Sequence, residues 1–277
     1  YTDAWNPTVI QLKYMAELLG IKIKIGGMWH AGSYDPQDFL GRLIGDAPWV
    51  RHSEKAFFEA VDYNYFATDF HINMFANNLY KARPSDIADR VVRTGWPMEY
   101  MLETLLPYQH KPKRDLILFP HRIAPEKQLE IFKGLAQAMP EYEWIVCQEH
   151  SLTKHEYHTL LAEAKIVFSA NLQETLGISM YEGCIVDAIP LVPDRLSYSE
   201  MYDSIFKYPS EWTESFESYE AHRPELCKVI MDHMNFYTTR LPWLKKQTKS
   251  LTYDFFSADE IYKGLEMKHD NCNNNDS

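Results

Sequence analysis

Two glutamates, Glu174 and Glu182, stand eight positions apart on either side of a glycine. Residues 165–170, just ahead of them, form an apolar run of the length typical of a fully covered parallel strand. Glu174 is therefore expected at the carboxyl edge of a sheet, where open α/β sheets bind ligands. From about Gly177 the sequence predicts a helix whose unpaired amides would lie beside Glu174 and whose side would carry Glu182. Such a place suits an anion and a ligand rich in hydroxyl groups.

A second motif lies about fifty residues upstream and gives weight to the first, since two glutamates at this spacing also occur on ordinary helices. Arg122 is predicted on the loop after the apolar run 116–120, and Lys127 in the first turn of the next helix. Cations at a helix start are unfavourable by up to ~1 kcal/mol, so an anion is expected to compensate them. A diphosphate fits, because Arg offers a planar fork and Lys a point charge. The alternative is a surface loop whose cations pair with Glu126 or Glu130.

Short apolar runs alternate with helical stretches along the whole chain, which indicates parallel sheets covered on both faces and an α/β fold. The predicted strands are residues 21–25, 65–68, 90–94, 116–120, 143–147, 166–170 and 189–192. Residues 106–114 contain two prolines and several charges without periodicity, which is typical of a linker.

The two motifs together resemble those of the retaining glycosyltransferases of the GT-B fold, in the large group 1 (GT4-like) family. The matching residues are Arg122 and Lys127 followed by Glu174 and Glu182, and the resemblance covers residues 114–203. It implies a GT-B architecture, in which two Rossmann-like parallel-sheet domains face a cleft. It also implies a retaining, metal-independent transfer of a sugar from a UDP- or GDP-linked donor to a hydroxyl acceptor, with no cofactor.

The resemblance assigns roles residue by residue. Arg122 and Lys127 hold the diphosphate, and Glu182 holds the ribose. Glu174, together with the amides of Thr175, Leu176 and Gly177, holds the sugar. The catalytic set that it implies is Arg122, Lys127, Glu174 and, from the opposite domain, His30 as a sugar or acceptor contact.

The predicted domains follow from the same resemblance. They are an acceptor-side domain over residues 1–106, a linker at 107–114, a donor-binding domain over 115–254, a closing helix at 255–269 and a disordered tail at 270–277. The chain departs from the family in opening at Tyr1 without a strand and a glycine-rich loop.

A narrower similarity is to the branch that includes the tRNA-queuosine mannosyltransferases, through residues 119–122 and 193–200. That similarity implies an acceptor hydroxyl on a modified nucleic-acid base. The formal net charge of −11 argues against a broadly basic nucleic-acid surface. The two basic clusters, residues 110–114 and 240–249, are otherwise interpreted as solvated surface.

Composition predicts a cytoplasmic protein. The four cysteines form no C-x-x-C pair and are interpreted as reduced thiols. No stretch approaches the ~20 apolar residues of a membrane span, and no signal peptide is visible. No metal site is predicted, because the chain has no Asp-x-Asp motif and the polar start of a helix accounts for His155 and His158 equally well.

Two other functions remain open from the sequence. A nucleotide-sugar epimerase would use the same donor pocket without an acceptor. A non-catalytic nucleotide-sugar or partner-binding protein would bind the donor without transferring or hydrolysing it. A dinucleotide oxidoreductase is disfavoured, because no G-x-G-x-x-G follows a strand.

Overall fold

The computed structural model describes residues 1–44 and 47–263 of the chain. It divides into two compact units. The first contains residues 1–97 and the segment that starts at Phe255, and the second contains Met98–Asp254.

The first unit contains a three-stranded parallel sheet in the order β1-β2-β3. Its strands are β1 (Gly26–Trp29), β2 (Tyr63–Phe66) and β3 (Val91–Arg93). The prediction of a strand at residues 21–25 is wrong, since the strand starts only at Gly26. A Cβ on Gly26 would lie 2.7 Å from the Tyr65 ring, so close packing requires a glycine there. Glycine is unfavourable in strands, and the sequence pattern therefore did not indicate a strand that starts at this residue.

Among the described residues up to Pro97, the α-helices beside this sheet are α1 (Thr8–Leu19), α2 (Phe39–Ile44), α3 (Pro48–Ala60) and α4 (Asp69–Phe75). An aromatic cluster forms the core between α3, α4 and the sheet, with Trp29 stacked on Phe66 at 6.0 Å between ring centroids. The Trp29 indole also donates to Asn64 Oδ1 at 2.8 Å, which satisfies its buried N–H.

The second unit contains a five-stranded, all-parallel sheet in the order β5-β4-β6-β7-β8. The strands are β4 (Arg114–Phe119), β5 (Glu143–Val146), β6 (Ala164–Phe168), β7 (Ile189–Pro193) and β8 (Lys207–Tyr208). The apolar runs predicted as strands from residue 116 onward lie within or beside these elements. The central residues of β4, β6 and β7 are fully buried, as in a sheet covered on both faces, whereas Trp144 and Ile145 of the edge strand β5 are only partly buried.

Seven helices belong mainly to this unit: α5 (Tyr100–Leu105), α6 (Leu129–Ala138), α7 (Lys154–Glu163), α8 (Ile178–Ile185), α9 (Tyr198–Met201), α10 (Phe216–Asn235) and α11 (Tyr237–Phe255). The capping box predicted at the start of α7 is confirmed, because Thr153 accepts from the Glu156 amide at 3.2 Å and Glu156 accepts from the Thr153 amide at 2.8 Å.

The predicted linker at residues 107–114 is tied to the second unit. Gln109 donates to the Ile185 carbonyl at 2.9 Å, and Lys113 donates to the carbonyls of Ala164 and Val186 at 2.9 and 2.6 Å. The division between the units falls earlier, between Pro97 and Met98, because α5 packs against α8.

The predicted closing helix at residues 255–269 is helical over 259–263 within the described part. Its remainder and the predicted tail at 270–277 lie outside the described residues. Phe255 and Phe256 are buried in the first unit, and Phe255 accepts a hydrogen bond from the Trp96 amide at 2.8 Å.

Candidate functional site

Strand order places two loops of the second unit together. Strands β4 and β6 are neighbours, yet the chain leaves β4 toward β5 on one side and leaves β6 toward β7 on the other. Such a reversal opens a crevice at the carboxyl ends of the two strands, and ligands of open α/β sheets bind there. The loop after β4 carries Arg122 and Lys127, and the loop after β6 carries Glu174.

The loop after β4 is longer than the sequence predicted. Residues Pro125–Lys127 form a 3₁₀ turn, Gln128 is left-handed with φ 52°, and α6 begins only at Leu129. The placement of Lys127 in the first α-helical turn is therefore wrong. The left-handed residue is held by its own side chain, since Gln128 Nε2 donates to the carbonyls of Ala170 and Thr213 at 2.5 and 2.7 Å.

Arg122 is half-exposed and donates to Glu126 Oε1 at 2.5 Å, and the Glu126 side chain is buried. The pairing with Glu126 that was the alternative to a phosphate site is thus present. The guanidinium has five N–H donors, so one contact to a carboxylate also serves to orient the rest of the group. Arg122 lines a cavity of about 300 Å³, so a ligand in that cavity could accept hydrogen bonds from the other N–H groups of the guanidinium.

Lys127 and Glu174 form a mostly buried ion pair that joins the two loops. Lys127 Nζ lies 3.3 Å from Glu174 Oε2 and donates to the Gln173 carbonyl at 2.6 Å. Burial raises the pKa of Glu174, but the charge of Lys127 and hydrogen bonds from Lys127 and the Gly177 amide lower it, and the net pKa lies below the ordinary value. Glu174 is consequently ionised at neutral pH.

Residues of the loop after β6 hold the Glu174 carboxylate in place beside Lys127. Asn171 Nδ2 donates to Glu174 Oε2 at 3.1 Å, and the Thr175 amide donates to Oε1 at 3.1 Å. Gly177 is left-handed with φ 68°, and a Cβ there would lie 2.6 Å from the Tyr198 ring. The glycine is therefore required for the turn that starts α8 at Ile178, close to the predicted helix start.

Glu182 lies farther along α8 and contacts a different part of the unit. Its Oε2 accepts a hydrogen bond from Tyr157 at 2.8 Å. Burial raises the pKa of Glu182, while Tyr157 and Lys154 oppose that rise without cancelling it. Tyr157 is one of the residues that line the cavity beside Arg122, so Glu182 reaches that cavity wall through the Tyr157 hydroxyl. The cavity is lined by Pro120, His121, Arg122, Cys147, Gln148, His150, Leu152 and Tyr157.

His121 is a site residue that the sequence analysis missed, although it directly precedes Arg122. It lines the cavity and is 5% exposed. Burial and the neighbouring Lys127 lower the pKa of His121 to about 3, against smaller opposite effects of Glu174 and of a hydrogen bond with the Phe168 backbone. The ring is therefore neutral at physiological pH.

Arg195 is a second residue that the motifs did not single out. Its guanidinium donates to the carbonyls of Ala170 and Asn171 at 2.6 and 2.7 Å, and to Ser210 at 3.0 Å. These bonds hold the loop after β6 from the side of β7. A charged residue on an apparently polar turn gives no sequence signal for such a role.

The structure thus places seven of the eight predicted site residues in the second unit and the eighth, His30, in the first. Arg122, Lys127, Glu174 and Glu182 lie on or next to the two loops, as do Thr175–Gly177. His30 belongs to the first unit, where Nε2 contacts the Thr2 carbonyl at 2.5 Å and the ring packs edge-on against Trp96 at 4.4 Å. The role of His30 stays a prediction.

Other polar residues considered as candidates from the sequence contact neighbouring side chains. His155 Nδ1 contacts the Tyr108 hydroxyl at 2.9 Å. In the basic cluster at residues 110–114, Arg114 pairs with Glu143 and Glu163, each at 3.0 Å. Across residues 1–44 and 47–263, no group of three or more His, Cys, Asp or Glu side chains could hold a metal ion.

The architecture of this chain is similar to that of several solved structures. The chain is similar to an α,α-trehalose-phosphate synthase (UDP-forming) from Burkholderia vietnamiensis, with a TM-score of 0.62 and 10% identity over 94% of this chain and 72% of the other. The chain has the GT-B fold. A similar match, with a TM-score of 0.60 and 9% identity, is to Anabaena HepE in complex with UDP, over 95% of this chain and 76% of HepE. The prediction of an α/β GT-B architecture is confirmed.

TarM from S. aureus, in a complex that contains UDP, also matches this GT-B chain, with a TM-score of 0.57 and 12% identity over 91% of the chain. The chain spans about half (52%) of the length of that TarM structure. No family model and no curated protein sequence matches the chain. The narrower resemblance to the group 1 family and its queuosine branch stays a prediction.

In the part of the chain that the structure describes, no helix combines the length and the apolar character needed to cross a bilayer.

Proposed function

We propose that the second unit binds a nucleoside diphosphate sugar, and that the protein transfers the sugar with retention to a hydroxyl acceptor. The observation that carries this proposal is the ion pair of Lys127 with Glu174 at the point where the sheet order reverses, with Arg122 on the same loop as Lys127. Two cations and a carboxylate at one crevice suit a ligand that is anionic at one end and hydroxylated at the other.

Arg122 and Lys127 stabilise the departing diphosphate. Negative charge develops on the leaving group as the bond to the anomeric carbon breaks, and fixed cations stabilise that charge without reorganisation. Lys127 is held in place by Glu174 and the Gln173 carbonyl, and Arg122 by Glu126. This arrangement supplies by side chains the charge that a metal ion would otherwise provide.

The two glutamates serve opposite ends of the donor. Glu174, ionised and fixed by Lys127 and Asn171, accepts hydrogen bonds from the sugar. Glu182 accepts from the ribose beside Tyr157 at the wall of the cavity. The TarM and HepE complexes contain UDP, and a further HepE complex contains UDP-glucose, which supports a donor of this class on the same fold.

Calorimetric titration with UDP and with GDP tests the donor site. The Arg122→Ala and Lys127→Ala double variant is expected to lose at least ~10-fold in affinity, because hydrogen bonds to charged groups contribute ~1.5–3 kcal/mol each. Arg114→Ala is the matched control, since Arg114 starts the strand, β4, after which Arg122 lies. Equal affinities for the wild type and the double variant would refute the diphosphate assignment.

The acceptor follows the resemblance to the queuosine branch. We propose a hydroxyl group, with a modified nucleic-acid base as the acceptor to test first. Incubation with the donor that binds, followed by mass spectrometry of nucleosides from digested tRNA and DNA, reports transfer as a mass increase of one hexose. Donor hydrolysis without any such product would leave water or another hydroxyl compound as the acceptor. Conversion of the donor sugar alone would instead indicate an epimerase.

A further inference from the structure

The part of the second unit around Glu174 contains buried acceptor atoms that have no internal partner. His121 Nε2 and Asn171 Oδ1 are both inaccessible to solvent and have no hydrogen-bond partner among the described residues. Native proteins pair nearly all buried polar atoms, so such atoms beside a candidate site point to a ligand. Whether these two atoms are donors or acceptors therefore indicates what kind of group the ligand presents to them.

Asn171 is fixed as an acceptor by its neighbours. Its Nδ2 donates to Glu174 Oε2 at 3.1 Å and to the Tyr198 hydroxyl at 3.3 Å. The reversed amide would place its oxygen against the ionised Glu174 carboxylate, which has no proton to donate. Oδ1 is thus the free end of the amide, and it can only accept.

His121 is fixed as an acceptor by its tautomer. The ring is neutral, so it carries one N–H, and its hydrogen bond with the Phe168 backbone raises its pKa, as donation to a carbonyl does. That donation occupies the N–H and leaves a lone pair on Nε2. His121 lines the cavity beside Arg122, and it is near enough to Lys127 and Glu174 for their charges to shift its pKa.

We propose that His121 determines sugar specificity, by accepting through Nε2 a hydrogen bond from a hydroxyl group of the transferred sugar, so that the site takes an uncharged sugar. The inference rests on the proposed function and names the donor sugar class more narrowly. Glu174, Asn171 and His121 present acceptors only, and sugar hydroxyls supply the matching donors. A sugar carboxylate would meet these lone pairs and the Glu174 charge, and that like-charge contact would weaken its binding.

The first test compares nucleotide with nucleotide-sugar for variants of His121. His121→Phe keeps a ring in the buried space without an acceptor, and His121→Asn keeps an acceptor. Calorimetry is expected to give His121→Phe unchanged UDP affinity and ~10-fold weaker UDP-glucose binding, because a sugar hydroxyl is left unpaired. His121→Asn is expected to restore part of that loss. His233→Phe is the matched control, a buried histidine on α10 that also has an unpartnered ring nitrogen.

The second test uses donors that differ only at one carbon. UDP-glucuronate is expected to bind the wild type at least ~10-fold more weakly than UDP-glucose. In His121→Phe the affinities for the two donors are expected to differ by a smaller factor. If the protein binds GDP instead of UDP, GDP-mannose and GDP-mannuronate form the equivalent pair.

The outcomes separate this inference from the proposed function. Wild-type protein that binds neither UDP nor GDP would overturn both. Nucleotide binding with an equal loss of nucleotide and nucleotide-sugar affinity in His121→Phe would overturn the role of His121 alone. Equal wild-type affinities for the neutral and the acidic sugar donor would overturn the uncharged-sugar specificity.

Discussion

At the scale of single residues, the two glutamates differ in their electrostatic surroundings. Glu174 is paired with Lys127, and its pKa lies below the ordinary value despite burial. Glu182 accepts a hydrogen bond from a tyrosine hydroxyl, and burial raises its pKa against the opposing effects of Tyr157 and Lys154. The sequence alone gives both residues the same identity, so this difference depends on the fold around them.

Substitution should separate their roles. Glu182→Gln is expected to weaken both UDP and UDP-sugar binding, because it neutralises an acceptor for the ribose. Glu174→Gln is expected to leave UDP affinity nearly unchanged while lowering the turnover of the sugar donor, whose hydroxyls Glu174 is proposed to hold during the reaction. Paired titrations with nucleotide and nucleotide-sugar, together with donor-hydrolysis rates, measure both effects. Loss of nucleotide affinity to the same extent in both variants would contradict the assignment.

The raised pKa of Glu182 predicts that nucleotide affinity depends on pH. As pH falls, Glu182 takes up a proton at a higher pH than an ordinary glutamate, and the ribose loses a charged acceptor. Nucleotide affinity should therefore decrease on acidification, and Glu182→Gln should remove this part of the decrease. The comparison of wild type and variant from pH 4 to 8 isolates Glu182 from other titrating groups.

At the scale of elements, α8 is the helix that the site depends on, and side chains bind its carboxyl end. Thr248 donates to the Cys184 carbonyl, Gln109 to Ile185 and Lys113 to Val186, at 3.1, 2.9 and 2.6 Å. These bonds satisfy carbonyls that a helix end leaves without intrahelical partners. Glu182 is thus carried on a helix fixed at both ends, by the Gly177 turn and by these side chains.

Gly177→Ala tests the turn at the start of α8. The variant combines a left-handed backbone with a Cβ only 2.6 Å from the Tyr198 ring, and it should lower the free energy of unfolding by more than the ~1 kcal/mol of backbone strain alone. Gly20→Ala is the control, since Gly20 has φ 65° and no atom within 4 Å of the added Cβ. Urea unfolding of both variants gives the difference. Equal losses would show that Tyr198 moves aside without cost.

Strands β4, β6 and β7 were predictable because their apolar runs are buried on both faces, whereas the two-residue strand β8 was not predicted. The motif loops were also predictable, since each follows such a strand. The 3₁₀ turn at Pro125–Lys127 and the left-handed Gln128 were not, because they depend on bonds from Gln128 to Ala170 and Thr213, 42 and 85 positions away. His121 was missed for the same reason, as its neutral state depends on burial and on Lys127.

At the scale of the whole molecule, one lysine links protonation to stability. Lys113 donates to two backbone carbonyls, and burial lowers its pKa to about 7 although Asp187 opposes the shift. The unfolded chain holds this proton up to the ordinary lysine pKa of ~10.4, so it binds more protons than the folded chain over the window above pH 7. The free energy of unfolding contributed by this group should therefore increase as pH rises through that window.

Lys113→Met is the variant that checks this linkage. The stability difference between wild type and variant, measured by urea unfolding from pH 6 to 10, should shift in favour of the wild type as pH rises. Lys133→Met is the control, because Lys133 is half-exposed and pairs with Glu149 at 2.6 Å. A difference that does not change with pH would mean that Lys113 keeps an ordinary affinity for its proton.

Transfer by the whole protein is expected to survive EDTA, because under the proposed function Arg122 and Lys127 take the place of a metal–diphosphate clamp, and the chain lacks an Asp-x-Asp motif. Donor-hydrolysis rates before and after chelation, with dialysis to remove the chelator–metal complex, provide the measurement. Activity that disappears with EDTA and returns with Mg²⁺ or Mn²⁺ would show that a metal ion holds the diphosphate.

The hydrogen bond between Trp96 and Phe255 has a consequence for the order of folding during synthesis. The first unit needs Phe255 and Phe256, which are buried in it, whereas the second unit ends at Asp254. A ribosome therefore releases every residue of the second unit before the first unit has its last buried phenylalanines. Since domains fold as they emerge, the first unit, although its synthesis starts first, can complete its core only after the whole of the second unit has been made.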